Sequence, residues 1–355
     1  MPDSRRLRCV ALGGGTGLPG VLLGLRTALG LGAVSGEEAR ECLTGIVTVT
    51  DDGGSSGRLR RQMGILPPGD VRNCLAALAP DDSPLTPLLQ HRFSGDSELT
   101  GHPVGNLLLA ALTQMTGDFQ EAVGTLAGLM RLQGSVFPST AEDVTLRAEF
   151  HGGEILNGET AIAGRHARIK RISLDRPVRP LPETVRALIN ADVIVVGPGS
   201  LYTSILPNLL VSGIASTLGG VRAVRIYVAN LMTEPGETDG YTVEDHLTAI
   251  RAHVGFNLFD YVLVNRRAVD STVVEKYAQR GSRLVTPDRW SGSGADVAIV
   301  ERDLASRLEQ GKIRHAPGPL ARAILELAHA GRPAACAQVA VAASLESAAR
   351  ESVRQ

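Results

Sequence analysis

The stretch Val10–Leu18, VALGGGTGL, decides the fold class of this chain. The apolar run Leu7–Leu12 predicts a buried strand, and leucines at helical spacing predict a helix over Leu18–Leu29. Glycines between a strand and a helix let backbone amides approach an anion, and the helix start adds partial positive charge. The turn therefore predicts a phosphate site, with a plain tight connection as the alternative. Its candidate residues are Gly13, Gly14, Gly15, Thr16 and Gly17.

Other apolar runs predict further strands of the same sheet. They are Gly45–Thr50, Ala191–Val196, Val221–Ala229 and Tyr261–Asn265. Because these runs are apolar throughout and alternate with helical stretches, they indicate an α/β fold with a mainly parallel sheet covered on both faces. Residues 135–176 alternate short β-like runs with Gly-Gly and Asn-Gly signals, which predicts a small added β-rich segment.

A polar stretch follows the second predicted strand. Asp51 and Asp52 come directly after that strand, and Arg58 follows within Asp51–Gly69, which we predict to be a loop. The carboxyl ends of parallel strands line the ligand crevice. Carboxylates there suit a Mg²⁺ that bridges phosphate oxygens, and Arg58 suits phosphate itself. An Asx-type turn with solvated charges is the alternative.

Two later motifs extend this crevice. Asp70 is placed to cap a helix predicted from Val71, and it also adds a carboxylate. In VVGPGSLYTSI a buried strand runs into a second glycine-rich turn with several hydroxyl groups. Two such turns at strand ends are harder to dismiss than one. The candidates for phosphate or sugar in the second turn are Gly197, Gly199, Ser200, Tyr202, Thr203 and Ser204.

Isolated polar residues give weaker signals. Asn230 lies near a predicted strand end, before a polar loop that is suited to cover a base or a sugar. Arg314 and His315 suit phosphate, with a surface pair before a helix as the alternative. A catalytic role for His102 is a weaker hypothesis, since a single histidine is more often structural.

Composition argues against some classes of partner. Net charge is −1, from 36 basic and 37 acidic side chains, so we expect neither nucleic acid nor an anionic membrane as a partner. No apolar stretch is long enough to insert into a membrane. Four cysteines without a CxxC pair suit a reducing compartment, which favours a cytoplasmic location.

The motifs together resemble the YvcK/CofD-like family, the group labelled gluconeogenesis factor. The similar stretches run in order from Val10 to about Leu327. They are GGGTGL, VTVTDDGGSSGRLR, PPGDVRNCL, GHPVGNLLLAAL, GPGSLYTSILPNLL and NLMTEPGETDGYT. The resemblance implies a Rossmann-like three-layer fold in one domain, 1–330. The Ala/Ser/Arg-rich tail, 331–355, is outside the match, and we expect a loose helix or disorder there.

The family has two branches with different activities. The YvcK branch, which the long TDDGGSSGRLR and TEPGETDGYT segments resemble, binds UDP-sugars such as UDP-N-acetylglucosamine and is linked to carbon metabolism, cell shape and cell-wall synthesis. The CofD branch transfers 2-phospholactate to a deazaflavin with Mg²⁺. By this resemblance Asp51 or Asp52, together with Asp70, would hold the metal.

Three functions follow as hypotheses. The leading one is a cytosolic UDP-sugar-binding regulator, and the rival is a CofD-type transferase. An NAD-dependent oxidoreductase fits least, because the first turn lacks the last glycine of GxGxxG. The sequence leaves catalysis, protein targets and oligomeric state open, with a homodimer as one option.

Overall fold

A parallel sheet of seven strands forms the centre of the protein, in a computed structural model that describes residues 6–287, 297–307 and 312–333. Its strands lie in the order β10-β9-β8-β7-β1-β2-β3, and every neighbouring pair is parallel. The described strands are β1 (Cys9–Gly13), β2 (Leu43–Val47), β3 (Ser135–Pro138), β4 (Leu146–Phe150), β5 (Ile155–Asn157), β6 (Ile169–Leu174), β7 (Val193–Val196), β8 (Val224–Val228), β9 (Tyr261–Asn265), β10 (Ala298–Arg302), β11 (Ala305–Arg307) and β12 (Ile313–His315).

Helices connect these strands. The described α-helices are α1 (Gly17–Ala28), α2 (Gly36–Cys42), α3 (Gly54–Met63), α4 (Gly69–Leu78), α5 (Leu85–Gln90), α6 (Val104–Thr116), α7 (Phe119–Leu129), α8 (Glu159–Gly164), α9 (Pro182–Asn190), α10 (Leu206–Leu210), α11 (Ile214–Gly220), α12 (Val243–Val254), α13 (Ser271–Ala278) and α14 (Pro317–Ala330). A short 3₁₀ helix covers Leu31–Ala33, and a π-helical turn covers Leu201–Ile205.

The order of the strands reverses beside β1. The chain winds from β1 outwards to β3 and then returns to β7, which pairs with the other side of β1. Every residue of β1 and β7 is buried, as their uninterrupted apolar runs predict. Open α/β sheets bind ligands at such a reversal, outside the carboxyl ends of the strands. The predicted α/β, Rossmann-like fold is confirmed, and both glycine-rich turns begin at this point.

A small antiparallel sheet is added to the main one. Its strands lie in the order β5-β4-β6. The first strand of the predicted β-rich stretch, β3, instead pairs with β2 at the edge of the main sheet. The added sheet itself therefore begins at Leu146 and ends at Leu174.

The predicted loop Asp51–Gly69 is wrong over most of its length, because it contains helix α3. The glycines, serines and arginines there show no apolar periodicity, so no helical signal is present in this stretch. Tertiary packing supplies the stability instead: Leu59 packs with Ile65 and Ala110 in a small apolar cluster. The helix ends at Gly64, whose φ of +65° is the left-handed conformation that favours glycine.

The first and last described helices of the chain pack together. A Cβ atom on Gly24 of α1 would lie 2.2 Å from the carbonyl oxygen of Pro317, at the start of α14. Only glycine permits this contact, which places the beginning of α14 beside the crevice.

None of the described helices is, taken singly, both long and apolar enough to cross a membrane. One bent pair, Leu201–Leu210 with Ile214–Gly220, meets that criterion by length and composition only. Of the predicted tail, residues 334–355 lie outside the described residues.

Candidate functional site

The two glycine-rich turns touch each other at the point where the strand order reverses. A Cβ atom on Gly17 would lie 2.1 Å from the carbonyl oxygen of Pro198. A Cβ atom on Gly14 would lie 2.7 Å from the methyl group of Thr48 and 3.4 Å from Cβ of Ser204. The turns therefore need glycine mainly because they pack so closely on each other.

The first turn already holds an anion that the chain itself supplies. The amide of Gly15, whose φ is +61°, donates a hydrogen bond of 2.6 Å to Oδ2 of Asp70. Asp70 was predicted to cap the helix that follows, and this is wrong, because α4 begins at Gly69 and has no side-chain cap. The carboxylate instead takes the position on the Gly15 amide that a phosphate oxygen would need.

A cleft of about 480 Å³ opens beside the two turns. We call it the outer cleft. Its walls come from both turns, from the segment after β8, from the end of α13 and from β12. It unites several predicted residues that are far apart in the chain: Thr16, Gly17, Gly199, Asn230 and Arg314.

The polar side chains of the outer cleft differ in whether they are bonded to other groups of the protein. The side chain of Asn230 is engaged, since its Oδ1 accepts a 3.0 Å hydrogen bond from the amide of Gly199 and so holds the second turn in position. Arg314 and Arg280 both line the cleft, and within the described part of the chain neither guanidinium forms an ion pair. The outer cleft therefore carries two guanidinium groups without an ionic partner in the described residues, and the carboxyl group of Glu234 also lines it.

Sequence reasoning missed two cleft residues from α13 and the turn after it. Tyr277 lines the cleft, and its hydroxyl accepts a 3.1 Å hydrogen bond from the amide of Ile313, which positions β12. Arg280 lies one turn further along the chain. No glycine turn or strand end marks either residue, so the local sequence contained no signal for them.

His315, beside Arg314, is uncharged at neutral pH. Burial lowers its pKa to about 4, although its hydrogen bond to the backbone of Ala229 opposes this shift. Its Nε2 atom is buried and has no hydrogen-bond partner among the described residues. His315 therefore contributes a neutral ring to the wall of the outer cleft.

Several predicted hydroxyl donors of the second turn are used within the protein. The hydroxyl of Tyr202 lies 2.8 Å from that of Tyr241. Thr203 donates to Oε1 of Glu237 over 3.4 Å. Ser200 hydrogen-bonds to Glu234. These side chains thus fasten the second turn to the polar loop that follows β8.

The two remaining candidates of the second turn, Gly197 and Ser204, form hydrogen bonds through their backbone atoms. Gly197 has a φ of +81°, and its amide donates to the carbonyl oxygen of Leu12 over 3.0 Å. Ser204 is buried, and its carbonyl oxygen accepts from Asn208, which also donates to the carbonyl oxygen of Gly13. Asn208 therefore links the two turns.

Arg58 does not line the outer cleft. Its guanidinium donates to the carbonyl oxygen of Thr100 over 2.8 Å. Nearby, Nδ1 of His102 lies 2.8 Å from Oγ of Ser55, which also accepts from Asn106. These contacts give His102 a structural place in a buried network that joins α3 to α6.

The three aspartates predicted as magnesium ligands make separate bonds. Oδ1 of Asp51 accepts from the amide of Gly53 over 2.8 Å, which is the Asx-type turn given as the alternative. Oδ1 of Asp52 accepts from the amide and hydroxyl of Thr160. No three His, Cys, Asp or Glu side chains of the described ranges are grouped to hold a metal ion. A Mg²⁺ at this place would rely on one or two of these carboxylates together with water and phosphate oxygens, and the predicted magnesium role of Asp51, Asp52 and Asp70 stays a prediction.

Glutamates that the sequence reasoning missed extend these aspartates into a larger set. We call it the carboxylate group: Asp51, Asp52, Asp70, Glu159, Glu234 and Glu237. Burial raises the pKa of Asp70 to about 6 and that of Glu237 to about 8. Burial, followed by the charges of Asp51 and Asp70, raises the pKa of Glu159 well above its usual value.

Glu237 is the most buried glutamate of the carboxylate group. Its side chain is 6% exposed, and its Oε2 atom has no hydrogen-bond partner in the described ranges. The carboxylate group is thus crowded, partly desolvated and incompletely hydrogen-bonded.

Comparisons with known proteins agree with this fold. A family model described as 2-phospho-L-lactate transferase CofD matches residues 9–305. The gluconeogenesis factor of Halalkalibacterium halodurans is 42% identical over 329 residues, which cover 91% of this chain and 97% of the relative. The gluconeogenesis factor of Bacillus subtilis is 41% identical over 316 residues, which cover 89% and 96%.

A solved structure is similar over nearly the same range. The crystal structure of a UPF0052 family member from Bacillus halodurans has a TM-score of 0.83 and 41% identity. The likeness covers 90% of this chain and all of that one. On the family model, the relatives and the fold together, this chain belongs to the CofD/YvcK family of gluconeogenesis factors.

Proposed function

We propose that this protein binds a nucleotide sugar of the UDP-N-acetylglucosamine kind in the outer cleft and acts as a cytosolic regulator. The observation that supports this most is the meeting of two glycine turns in one cleft beside Arg280 and Arg314, which form no ion pair with any residue that the structure describes. The cleft volume of about 480 Å³ is within the usual range for small-molecule sites.

A diphosphate suits this set of groups better than a neutral ligand. Guanidinium groups bind phosphate oxygens in pairs, and such charge-assisted bonds are about twice as strong as neutral ones. The amide of Gly15 is taken by Asp70, so the phosphates would lie toward Thr16, Gly17 and Gly199 instead. The apolar parts of Met232 and Leu320 leave room for a base or a sugar along the wall.

The regulatory role is proposed from the relatives, which carry the name gluconeogenesis factor. A ligand that binds only the folded form stabilises it in proportion to the logarithm of ligand concentration. In this proposal the ligand-bound fraction of the protein follows the supply of a cell-wall precursor and so links that supply to carbon metabolism and cell-shape control. The proposal includes protein targets that respond to the ligand-bound form.

Calorimetry with UDP-N-acetylglucosamine, with and without Mg²⁺, tests the proposal. We expect wild-type protein to bind and Arg314→Ala to bind about tenfold or more weakly, because a charge-assisted phosphate contact is lost. Arg322→Ala, which removes an exposed guanidinium on α14, is the matched control and should bind normally. A folded wild-type protein that releases no heat would contradict the proposal.

A CofD-type transferase is the alternative, and the description of the matching family model favours it. Such an enzyme would move a phospholactyl-like group from a nucleotide-activated donor to a deazaflavin. Incubation with both substrates and Mg²⁺ separates the two functions. Product formation would support the transferase, whereas UDP-sugar binding without product would support the regulator.

A further inference from the structure

Most hydroxyl groups on the wall of the outer cleft are already bonded within the protein. The hydroxyl of Ser282 donates to the carbonyl oxygen of Thr233, whose own hydroxyl accepts from the amide of Arg283 over 2.9 Å. The hydroxyl of Ser306 donates to the carbonyl oxygen of Arg314 over 3.2 Å. A ligand therefore meets few side-chain groups that are free to bind it, and those groups indicate its chemistry.

Three kinds of side-chain group in the outer cleft remain for a ligand. The guanidinium groups of Arg280 and Arg314 have no ionic partner among the described residues. The Nδ2 atom of Asn230 donates to no described residue, although its Oδ1 atom is bonded to the amide of Gly199. The third kind is the carboxyl group of Glu234. The first two kinds are donors, so the carboxyl group is what the cleft offers to a donor on the ligand.

Glu234 is the member of the carboxylate group that lines the outer cleft. The residue is half-buried, and it forms no ion pair with any residue that the structure describes. Its carboxyl group takes part in a hydrogen bond with Ser200 of the second turn. Because the two oxygens of a carboxyl group can accept several hydrogen bonds, capacity for a ligand remains.

The backbone around Glu234 fixes the place of this carboxyl group. The amide of Glu234 donates to Oγ1 of Thr238 over 2.8 Å. Its carbonyl oxygen accepts from the amides of Glu237 and Thr238 over 3.0 and 2.9 Å. These bonds close a tight turn that begins at Glu234. A binding group that is held in position before the ligand arrives loses little conformational freedom on binding.

A carboxyl group in a phosphate-binding cleft requires a ligand that carries donors beside its phosphates. Phosphate oxygens are acceptors, whereas two adjacent hydroxyl groups match the two oxygens of a carboxyl group. Burial raises the pKa of Glu234, and the hydrogen bond with Ser200 opposes this shift. The match to hydroxyl groups holds in either protonation state, because a protonated carboxyl group still accepts hydrogen bonds.

Building on the proposed function, we infer that Glu234 binds a vicinal diol of the nucleotide sugar through its carboxyl oxygens. Arg280 and Arg314 bind the diphosphate, and Glu234 binds the hydroxyl groups beside it. UDP-N-acetylglucosamine has two such diols, one on the ribose and one on the hexose. A site built to bond a hydroxyl group rejects the analogue that lacks it, since the protein group is then left without a partner.

Titration calorimetry with variants of Glu234 tests this inference. Glu234→Ala should bind UDP-N-acetylglucosamine at least about tenfold more weakly than wild type, because bonds from the ligand hydroxyls to the carboxyl group are lost. Glu234→Gln keeps one oxygen acceptor and should recover part of the affinity. Glu121→Ala, at an exposed residue of α7, is the matched control and should bind normally.

UDP, which has the ribose but no hexose, shows which diol Glu234 binds. A similar loss of affinity for UDP and UDP-N-acetylglucosamine in Glu234→Ala would assign Glu234 to the ribose. A loss confined to UDP-N-acetylglucosamine would assign it to the hexose.

A ligand with an altered diol completes a double-mutant cycle. This ligand is 2′-deoxy-UDP for the ribose and UDP-N-acetylgalactosamine, the epimer at carbon 4, for the hexose. In wild type the altered ligand should bind about tenfold more weakly than its parent, and in Glu234→Ala this ratio should shrink several-fold, because the two changes remove the same contact.

The outcomes separate this inference from the proposed function. Unchanged or higher affinity of folded Glu234→Ala for both ligands would overturn the role of Glu234 and leave nucleotide-sugar binding intact. If that variant does not fold, the wild-type protein decides: equal affinities within both pairs of parent and altered ligand would overturn the inference. A folded wild-type protein that binds neither UDP nor UDP-N-acetylglucosamine contradicts the proposed function itself.

Discussion

The outer cleft and the carboxylate group both border the two glycine turns, and they differ in how their polar groups are used. In the cleft, Arg280 and Arg314 have no ionic partner among the described residues. In the carboxylate group, Asp51, Asp52 and Asp70 each accept hydrogen bonds from the protein's own backbone. The difference shows that some polar side chains around the turns support the protein's own backbone, whereas others line the cleft without an ionic partner in the described residues.

The largest effect is expected at the contact between the two glycine turns. Gly17→Ala places a Cβ atom against the carbonyl oxygen of Pro198, at 2.1 Å in the present backbone. Because a backbone atom cannot move aside cheaply, we expect about 3 kcal/mol less unfolding free energy and loss of ligand binding. Urea unfolding and calorimetry measure both.

Gly124→Ala in α7 is the control for this change. A Cβ atom there meets no atom within 4 Å, so the variant should gain about 0.5–1 kcal/mol. Equal stability of Gly17→Ala and wild type would show that the two turns do not need their close contact.

A smaller effect, dependent on pH, is expected from the carboxylate group. Burial raises the pKa of Asp70 from 3.8 to about 6, so between these pH values the folded state holds a proton that the unfolded state has lost. Stability therefore falls as pH rises from about 4 to about 6, and the loss is complete above pH 6.

Asp70→Asn should remove this fall. The difference in unfolding free energy between Asp70→Asn and wild type should be about 2 kcal/mol more favourable to the variant at pH 7.5 than at pH 4. Urea unfolding at both pH values measures it. Asp82→Asn, at an exposed residue, should leave stability unchanged at both. If Asp70→Asn and wild type differ in unfolding free energy by the same amount at pH 4 and pH 7.5, the expected titration of Asp70 is contradicted.

The smallest effect is expected where a predicted ligand hydroxyl is already used. Tyr202→Phe removes the 2.8 Å contact with the hydroxyl of Tyr241, which should cost about 1 kcal/mol of stability and leave UDP-sugar affinity unchanged. Tyr241→Phe should lower stability by a similar amount, and the double variant should lower it by little more than either single variant. A large loss of affinity in Tyr202→Phe would return Tyr202 to the list of phosphate ligands.

The sequence predicted best where local chemistry and topology agree. Apolar runs such as Ala191–Val196 identified the parallel strands, and the glycine turns after two of them lie together because the strand order reverses there. Thr16, Gly199 and Arg314 come from distant segments, and the structure brings them to one cleft. The strands and these cleft residues could therefore be predicted from strand ends and residue type.

What the sequence could not predict depends on tertiary contacts. Tyr277 and Arg280 reach the cleft only because the segment after α13 pairs with the segment after β8, as the bonds between Thr233 and Arg283 show. Likewise Glu159 and Glu237 join the aspartates through folding of separate segments. Helix α3 lacks apolar periodicity and depends on packing against its neighbours.

The contact between Gly24 and Pro317 has a consequence for the order in which the protein matures. The first glycine turn leaves the ribosome well before Arg314 and the start of α14. Since α14 must dock on α1 to complete the wall, a nascent chain that still lacks α14 has no finished cleft. Ligand binding would therefore distinguish molecules in which α14 has docked from those in which it has not.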